Sequence, residues 1–232
     1  MTRGRISNIE TLGGLDGPGI RTVFFLQGCP AKCAYCHNPE TLSGKGGTEY
    51  TPKQVADIAY KYKPYYGNKG GVTFSGGEPL AQSGFVLECI GELKKIGVGV
   101  VIDTSGVIYA PEVLSAADLT ILDIKHTDEK KFLELTGVSM DNTLRTLRYL
   151  SDNNLPFWVR QVILPDYNDD ESNIRKLKTM AANAQKIELL PYHAMARHKY
   201  EKLGLPYPEG LREPDGTAMT RLNNLLHNGQ AE

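Results

Sequence analysis

Residues 70–106 read GGVTFSGGEPLAQSGFVLECIGELKKIGVGVVIDTSG. Gly71–Ser75 is a β-branched and aromatic run of strand length. Gly84–Ile96 then sets Phe85, Val86, Ile90 and Leu93 at helical spacing, and Gly99–Thr104 returns to a strand. Strand, helix and strand in that order make a parallel unit with a right-handed crossover. The alternation continues outward in both directions. Further strands are expected at Thr22–Leu26, Leu119–Ile124, Phe157–Leu164 and Lys186–Leu190, and helices at Pro52–Lys63, Asn142–Leu150 and Ser172–Ala182. Thr51 supplies an N-cap ahead of Pro52, and Asp141 is read as the cap of the helix opening at Asn142.

Six such strands predict an α/β fold, a partial (β/α)6 TIM-like barrel with parallel strands, and chemistry at the C-terminal strand ends. The polar residues fall there. Gln27-Gly28-Cys29 follows the first of the six strands, Gly76-Gly77-Glu78 the second and Asp103-Thr104-Ser105-Gly106 the third. Asp123 and Lys125 close the fourth, Arg160 and Gln161 lie inside the fifth, and Pro191-Tyr192-His193 follows the sixth. No repeat, low-complexity tract or linker divides the chain, so residues 1–232 are expected to form a single domain.

The chain has 232 residues, with 26 Lys+Arg against 27 Asp+Glu and 41% hydrophobic residues. Such a length can bury a large core, and the low net charge with ample apolar content excludes a disordered chain. Near-neutrality argues against a general nucleic-acid or anionic-membrane binder. No stretch approaches the ~20 apolar residues of a membrane span, and MTRGRISNIETLGG lacks the apolar run of a secretory leader, so a cytoplasmic location is expected. In a reducing compartment, clustered cysteines read as metal ligands or redox groups rather than disulfides.

Three of the four cysteines fall in Cys29-Pro-Ala-Lys-Cys33-Ala-Tyr-Cys36. Their thiolates can converge on one centre without help from distant chain. A [4Fe–4S] cluster held by three cysteines leaves one iron open for a ligand; zinc held by the three together with His37 is the competing use of the same spacing. Six βα units with polar residues at every strand end exceed what a small zinc module needs. Cys89, within a helical pattern, reads as a small buried hydrophobe, and the acidic run Asp166 to Glu171 as a solvated loop.

The C-x3-C-x2-C loop with an aromatic before its last cysteine, followed by Gly-Gly-Glu-Pro after the next strand, resembles the radical S-adenosylmethionine (SAM) superfamily. Asp16-Gly17-Pro18-Gly19-Ile20-Arg21, Tyr35-Cys36-His37-Asn38, Leu122-Asp123-Ile124-Lys125 and Leu189-Leu190-Pro191-Tyr192-His193 resemble, within it, the activating enzymes of glycyl-radical enzymes. Many of those carry a ferredoxin-like insert with extra cysteines. Asn38 to Ser75 has no Cys, which disfavours that group and points to pyruvate formate-lyase as partner. The resemblance implies that SAM chelates the open iron and is reductively cleaved to a 5′-deoxyadenosyl radical, which takes a hydrogen from a backbone glycine of the partner. A flavodoxin or similar electron donor is implied as well. A radical SAM enzyme acting on a small molecule is the alternative activity.

The resemblance also assigns roles. Cys29, Cys33 and Cys36 hold the cluster; Gly76, Gly77 and Glu78 meet the methionine end of SAM; Tyr35, His37, Ile124 and His193 wall or reach it; Lys125 neutralises its carboxylate. Asp103, Asp123 and Thr104 are candidate ligands of a monovalent cation, the two aspartates also bordering SAM. Ser105 stands where relatives often have Asn. Asp16 is expected at the barrel mouth, gripping the backbone of the incoming peptide, and Arg160 either joins it or balances internal carboxylates.

Replacing any one of Cys29, Cys33 and Cys36 by Ala is expected to abolish cluster assembly and SAM cleavage, whereas Cys89→Ala leaves both intact. Iron and sulfide analysis after anaerobic reconstitution reads this directly, and equal iron loss in all four variants would contradict it.

Overall fold

A computed structural model describes residues 2–227. Its strands are β1 (Gly4–Gly13), β2 (Arg21–Leu26), β3 (Thr48–Tyr50), β4 (Gly71–Gly76), β5 (Gly99–Thr104), β6 (Leu119–Asp123), β7 (Phe157–Ile163) and β8 (Lys186–Pro191). Its helices are α1 (Pro52–Tyr66), α2 (Ser83–Lys95), α3 (Pro111–Ala116), α4 (Glu129–Thr136), α5 (Asp141–Asp152), α6 (Glu171–Met180), α7 (Arg197–Leu203) and α8 (Gly216–His227). One eight-stranded sheet runs in the order β3-β1-β2-β4-β5-β6-β7-β8. From β2 to β8 every pairing is parallel, which gives the six expected strands in the expected order.

Local chemistry sets the helix ends. Thr51 and Gln54 form a reciprocal capping box on α1. Asp128 caps α4 and Asp170 caps α6 through the amides of their first turns. Asp141 does not cap α5: it is the first helical residue, and the preceding Met140 has helical dihedrals and makes no side-chain cap. Its carboxylate still sits favourably at the positive end of the helix dipole.

β1 pairs antiparallel with β2, and β3 with β1, outside the six-strand pattern. Register shifts at Ile6/Asn8 and Glu10/Gly13 break the alternation of β1, so its period of two is lost from the sequence. The hairpin also moves Asp16. Because β1 runs against β2, the turn joining them lies at the N-terminal end of the parallel strands, where Gly13 pairs with Arg21 and Arg21 with Gly71. Asp16 therefore enters from the end opposite the cysteine loop, not at the C-terminal mouth.

Alternation along each strand divides the residues between two faces. Phe24, Val72, Phe74, Val100, Ile102, Leu122 and Val159 pack under the helices, with the Phe24 and Phe74 rings stacked at 5.8 Å. The other face carries Val101, Ile121 and Trp158 towards one end of the sheet. Further along that face, the same alternation places Ser75, Asp103, Asp123 and Arg160. Among the described residues no helix is long and apolar enough to cross a membrane.

The turn after β4 leaves no room for a side chain. Gly76 has φ +109°, and a Cβ on Gly77 would stand 2.4 Å from the carbonyl oxygen of Gly28. Gly77→Ala is expected to lower stability by about 2 kcal/mol or more, as overpacking against backbone does. Urea unfolding of the cluster-free protein would show it as a lower midpoint; an unchanged midpoint would contradict the close approach.

Candidate active site

The cysteine loop leaves β2 and is laced down by backbone hydrogen bonds. The amide of Gly28 donates to the Thr41 carbonyl at 2.7 Å, and those of Lys32 and Ala34 to the Thr136 and Leu135 carbonyls at 2.8 Å each. The last turn of α4 thus offers its free carbonyls to the loop. Cys29, Cys33 and Cys36 are free and partly exposed, while Cys89 is buried in the core. Burial pushes the Cys29 thiol up to about 12, with the Glu78 carboxylate adding to it, and the Cys33 thiol up to about 11 against the pull of Lys125. The thiols are therefore neutral near pH 7 and become thiolates only against a strong positive charge. In this structure no three His, Cys, Asp or Glu side chains among the described residues are drawn together as a closed ligand set. The three thiols share one loop and lie near enough for the charge of one to act on another.

Glu78 is fully buried, and four donors fill its carboxylate. Thr104 Oγ1 donates at 2.5 Å, Ser105 Oγ at 2.7 Å, the Ser105 amide at 3.2 Å and the Leu80 amide at 3.1 Å. Desolvation raises its pKa and these hydrogen bonds oppose the rise. Two expectations change. The Glu78 side chain faces the end of β5 rather than an open cleft, and the Thr104 hydroxyl is committed to Glu78 while accepting from the Gly106 amide at 2.9 Å. Gly76 and Gly77 remain with main-chain groups at the strand end.

Asp103 and Asp123 come together on adjacent strands. Asp103 accepts from Ser75 Oγ at 2.8 Å; burial raises its pKa, Arg160 opposes that rise, and the Asp123 charge adds to it. Lys125 forms an ion pair with one Asp123 oxygen and lies 5.5 Å from the Tyr35 ring centroid. Burial alone would lower the Lys125 pKa; Asp123 outweighs it and holds the ammonium charged. Among the described residues the second Asp123 oxygen, which is buried, has no hydrogen-bond partner, nor has the buried Tyr35 hydroxyl. A buried carboxylate oxygen without a donor is costly, and a cation or a ligand ammonium group is the chemistry that relieves it. The donor set thus fits both SAM and a small cation. Ile124 is buried, its amide donating to the Arg160 carbonyl at 2.9 Å.

Arg160 spans three partners. It contacts Glu188 at 3.2 Å, lies 4.0 Å from Asp103 and donates to the Leu15 carbonyl at 3.1 Å. It therefore balances internal carboxylates and also ties down the Asp16 turn. Thr73 Oγ1 donates to the Asp16 carbonyl at 2.7 Å and accepts from Arg21 Nε at 2.6 Å. His37 and His193 are exposed at the opposite end, edge to face with ring centroids 4.7 Å apart. Desolvation lowers the His37 pKa, and His193 adds to that. Ser75, Thr73 and Glu188 were not singled out in the sequence. Counting by twos from Asp103 and Arg160 along paired strands is the signal that finds them.

The radical SAM superfamily pattern matches residues 23–177. The pyruvate formate-lyase-activating enzyme of Clostridium pasteurianum is 43% identical over 213 residues, spanning 89% of this chain and 90% of that protein. The protein of the same name from Staphylococcus epidermidis is 39% identical over 234 residues, spanning 94% and 93%. Among solved structures, Streptococcus suis SuiB bound to precursor peptide SuiA superposes with a TM-score of 0.69 at 17% identity, over 87% of this chain and 44% of that one. A domain of pyruvate-formate lyase-activating enzyme from Bacteroides vulgatus gives 0.58 at 23% identity, over 68% and 94%. The two structural likenesses establish the fold.

Burial first, then the Asp103 charge, pushes the Asp16 carboxyl up to about 6, while Arg160 pulls it down. The native state then holds a proton that the unfolded chain has released, so this group makes stability fall as pH rises from about 4 to about 6. Asp16→Asn is expected to remove that fall. Unfolding midpoints across pH 4–7 test it, and parallel profiles for wild type and variant would contradict it.

Proposed function

The chain belongs to the radical SAM superfamily and, within it, to the pyruvate formate-lyase-activating enzymes, and from that membership we propose that it installs the glycyl radical of pyruvate formate-lyase. The observation that carries the assignment is similarity at about two residues in five along nine-tenths of both chains. When bound, a [4Fe–4S] cluster and SAM supply an electron and, by cleavage of the sulfonium C–S bond, a 5′-deoxyadenosyl radical that removes one hydrogen from the substrate glycine.

The chain's own residues bind, orient and shield. Cys29, Cys33 and Cys36 would ligate three irons and leave the fourth for SAM. Gly76 and Gly77 would offer main-chain acceptors to its amino group, with Asp103 close by. Lys125 would turn from Asp123 to the SAM carboxylate. That exchange would free Asp123 to join Asp103 around a monovalent cation, Thr104 contributing through its main chain since its hydroxyl is committed. Tyr35, Ile124, His37 and His193 would border the nucleoside. Glu78 would act indirectly, by fixing the turn that carries the two glycines.

The substrate peptide would reach the inner face from the Asp16 end. A glycine offers no side chain to grip, so recognition has to run through backbone amides and carbonyls, for which the Asp16 carboxylate and the Arg160 guanidinium are complementary groups. Electrons would come from outside the chain, because the three clustered cysteines leave no second set for an accessory cluster, and the family resemblance implies a flavodoxin or similar donor.

The test is anaerobic electron paramagnetic resonance of pyruvate formate-lyase after incubation with the reconstituted protein, reductant and SAM. A glycyl radical signal on the lyase is expected. SAM turnover that leaves the lyase without a radical would overturn the assignment. Asp16→Ala is expected to retain uncoupled SAM cleavage and to lower lyase activation about tenfold or more, the scale of a misplaced reactant; equal loss of both activities would make Asp16 structural.

A further inference from the structure

β6 ends at Asp123, so the carbonyls of Ile124 and Lys125 have no strand partner although both residues lie against the protein interior. Buried carbonyls need donors, and here side-chain amides from β7 and the loop beyond it supply them. Gln161, on the helix-facing side of β7, donates to the Ile124 carbonyl at 3.0 Å. Asn168 donates to the Lys125 carbonyl at 3.3 Å and to Val162 at 2.8 Å, and accepts from the Leu164 amide at 2.7 Å. Asn173, in the first turn of α6, donates to Gln161 Oε1 and to the Asn168 carbonyl, both at 2.8 Å. It accepts from the Thr127 hydroxyl at 2.8 Å and the Thr127 amide at 3.2 Å. Gln161, Asn168 and Asn173 are almost fully buried.

The arrangement differs from ordinary loop packing in two respects. Every carboxamide group in it has a partner, and a network satisfied to that degree is rigid. It also converges on one dipeptide from behind, on the side away from Asp103 and Asp123. With its amide held by the Arg160 carbonyl at 2.9 Å, Ile124 is fixed at both its donor and its acceptor, and Lys125 at its acceptor. The Lys125 side chain then has little freedom in where it leaves the backbone.

We propose that Gln161, Asn168 and Asn173 form a positioning network for SAM, holding the Ile124–Lys125 backbone in place so that only the Lys125 side chain has to swing, from Asp123 to the ligand's carboxylate. The network acts through Lys125 and touches no ligand itself. This rests on the placement of Ile124 and Lys125 at the SAM site.

Equilibrium binding of SAM to the anaerobically reconstituted protein tests it, with cluster content measured independently by iron analysis and by the spectrum of the reduced cluster without SAM. Gln161→Met keeps the volume and removes the carboxamide; it is expected to weaken SAM binding about tenfold, as loss of an outer-shell partner does, with cluster content and spectrum unchanged. Thr127→Val should weaken binding less and Thr127→Ser should restore it, which keeps the test available if Gln161→Met folds poorly. Hydrogen exchange at residues 124–128 should accelerate in Gln161→Met. Tyr66→Phe, which removes an equally buried hydroxyl contact to Thr22 at the other end of the sheet, should leave SAM affinity at the wild-type value. Wild-type affinity in Gln161→Met with weakened binding in Lys125→Ala would overturn the network while leaving the site assignment standing. Equal weakening in Tyr66→Phe would also overturn it. Unchanged binding in Lys125→Ala would overturn the placement of Lys125 at the SAM site, and the network proposal with it.

Discussion

A single buried carboxylate holds the site end of this protein together. Among the described residues Glu78 has no cationic partner; it is solvated instead by two hydroxyls and two amides, from the end of β5 and from the turn that follows β4. Leaving any of those oxygens unpaired inside the protein would cost on the order of 1–3 kcal/mol, so the four donors and the carboxylate constrain one another. The glycines before Glu78 let its turn lie against the cysteine loop, where the Glu78 amide reaches the Gly28 carbonyl and the Gly77 amide the Leu26 carbonyl, each at 2.9 Å. Gln82 extends the tie, bonding the carbonyls of Gln27 and Arg5 and accepting from the Arg5 amide. The start of the cysteine loop, the Gly-Gly turn and the Asp103–Gly106 segment are thereby positioned as one piece.

The inner face supplies a field suited to a positively charged ligand. Asp16, Asp103, Asp123 and Glu188 outnumber the buried cations Arg21, Lys125 and Arg160, and mutual repulsion adds to the burial that raises Asp16 and Asp103. SAM brings a positive sulfonium and, until its amino group loses a proton to ligate iron, an ammonium against one carboxylate, so it arrives with excess positive charge, and a small cation acts in the same direction. The unpartnered Asp123 oxygen marks where that charge is wanted. The neutral overall charge of the chain conceals this local imbalance.

Much of the architecture was legible because parallel strands buried on both faces read as plain apolar runs. All six fall within one residue of their expected ends. β1 was not legible, since its two register shifts destroy the alternation that identifies a half-exposed antiparallel strand. That omission carried Asp16 to the wrong end of the sheet, because only an antiparallel partner puts the turn before β2 at the foot of the parallel strands. The cysteine loop could be read from spacing, its residues being adjacent in the chain. The role of Glu78 could not, because its partners lie 26 and 27 residues further on and hydroxyl donors leave no pattern. The amide network behind Lys125 was hidden for the same reason. Asp141 shows the converse limit: Asp before a helical run fits an N-cap, but the chain turns one residue earlier and uses Met140.

The proposed function requires three cysteines of one loop to hold a cluster with an iron left open to SAM beside Lys125 and Asp123. Anaerobic electron paramagnetic resonance of the reduced, reconstituted protein with and without SAM addresses it most directly. A cluster signal whose shape changes on addition of SAM is the predicted result. A signal indifferent to SAM, or a colourless protein carrying zinc with neither iron nor sulfide, would contradict it.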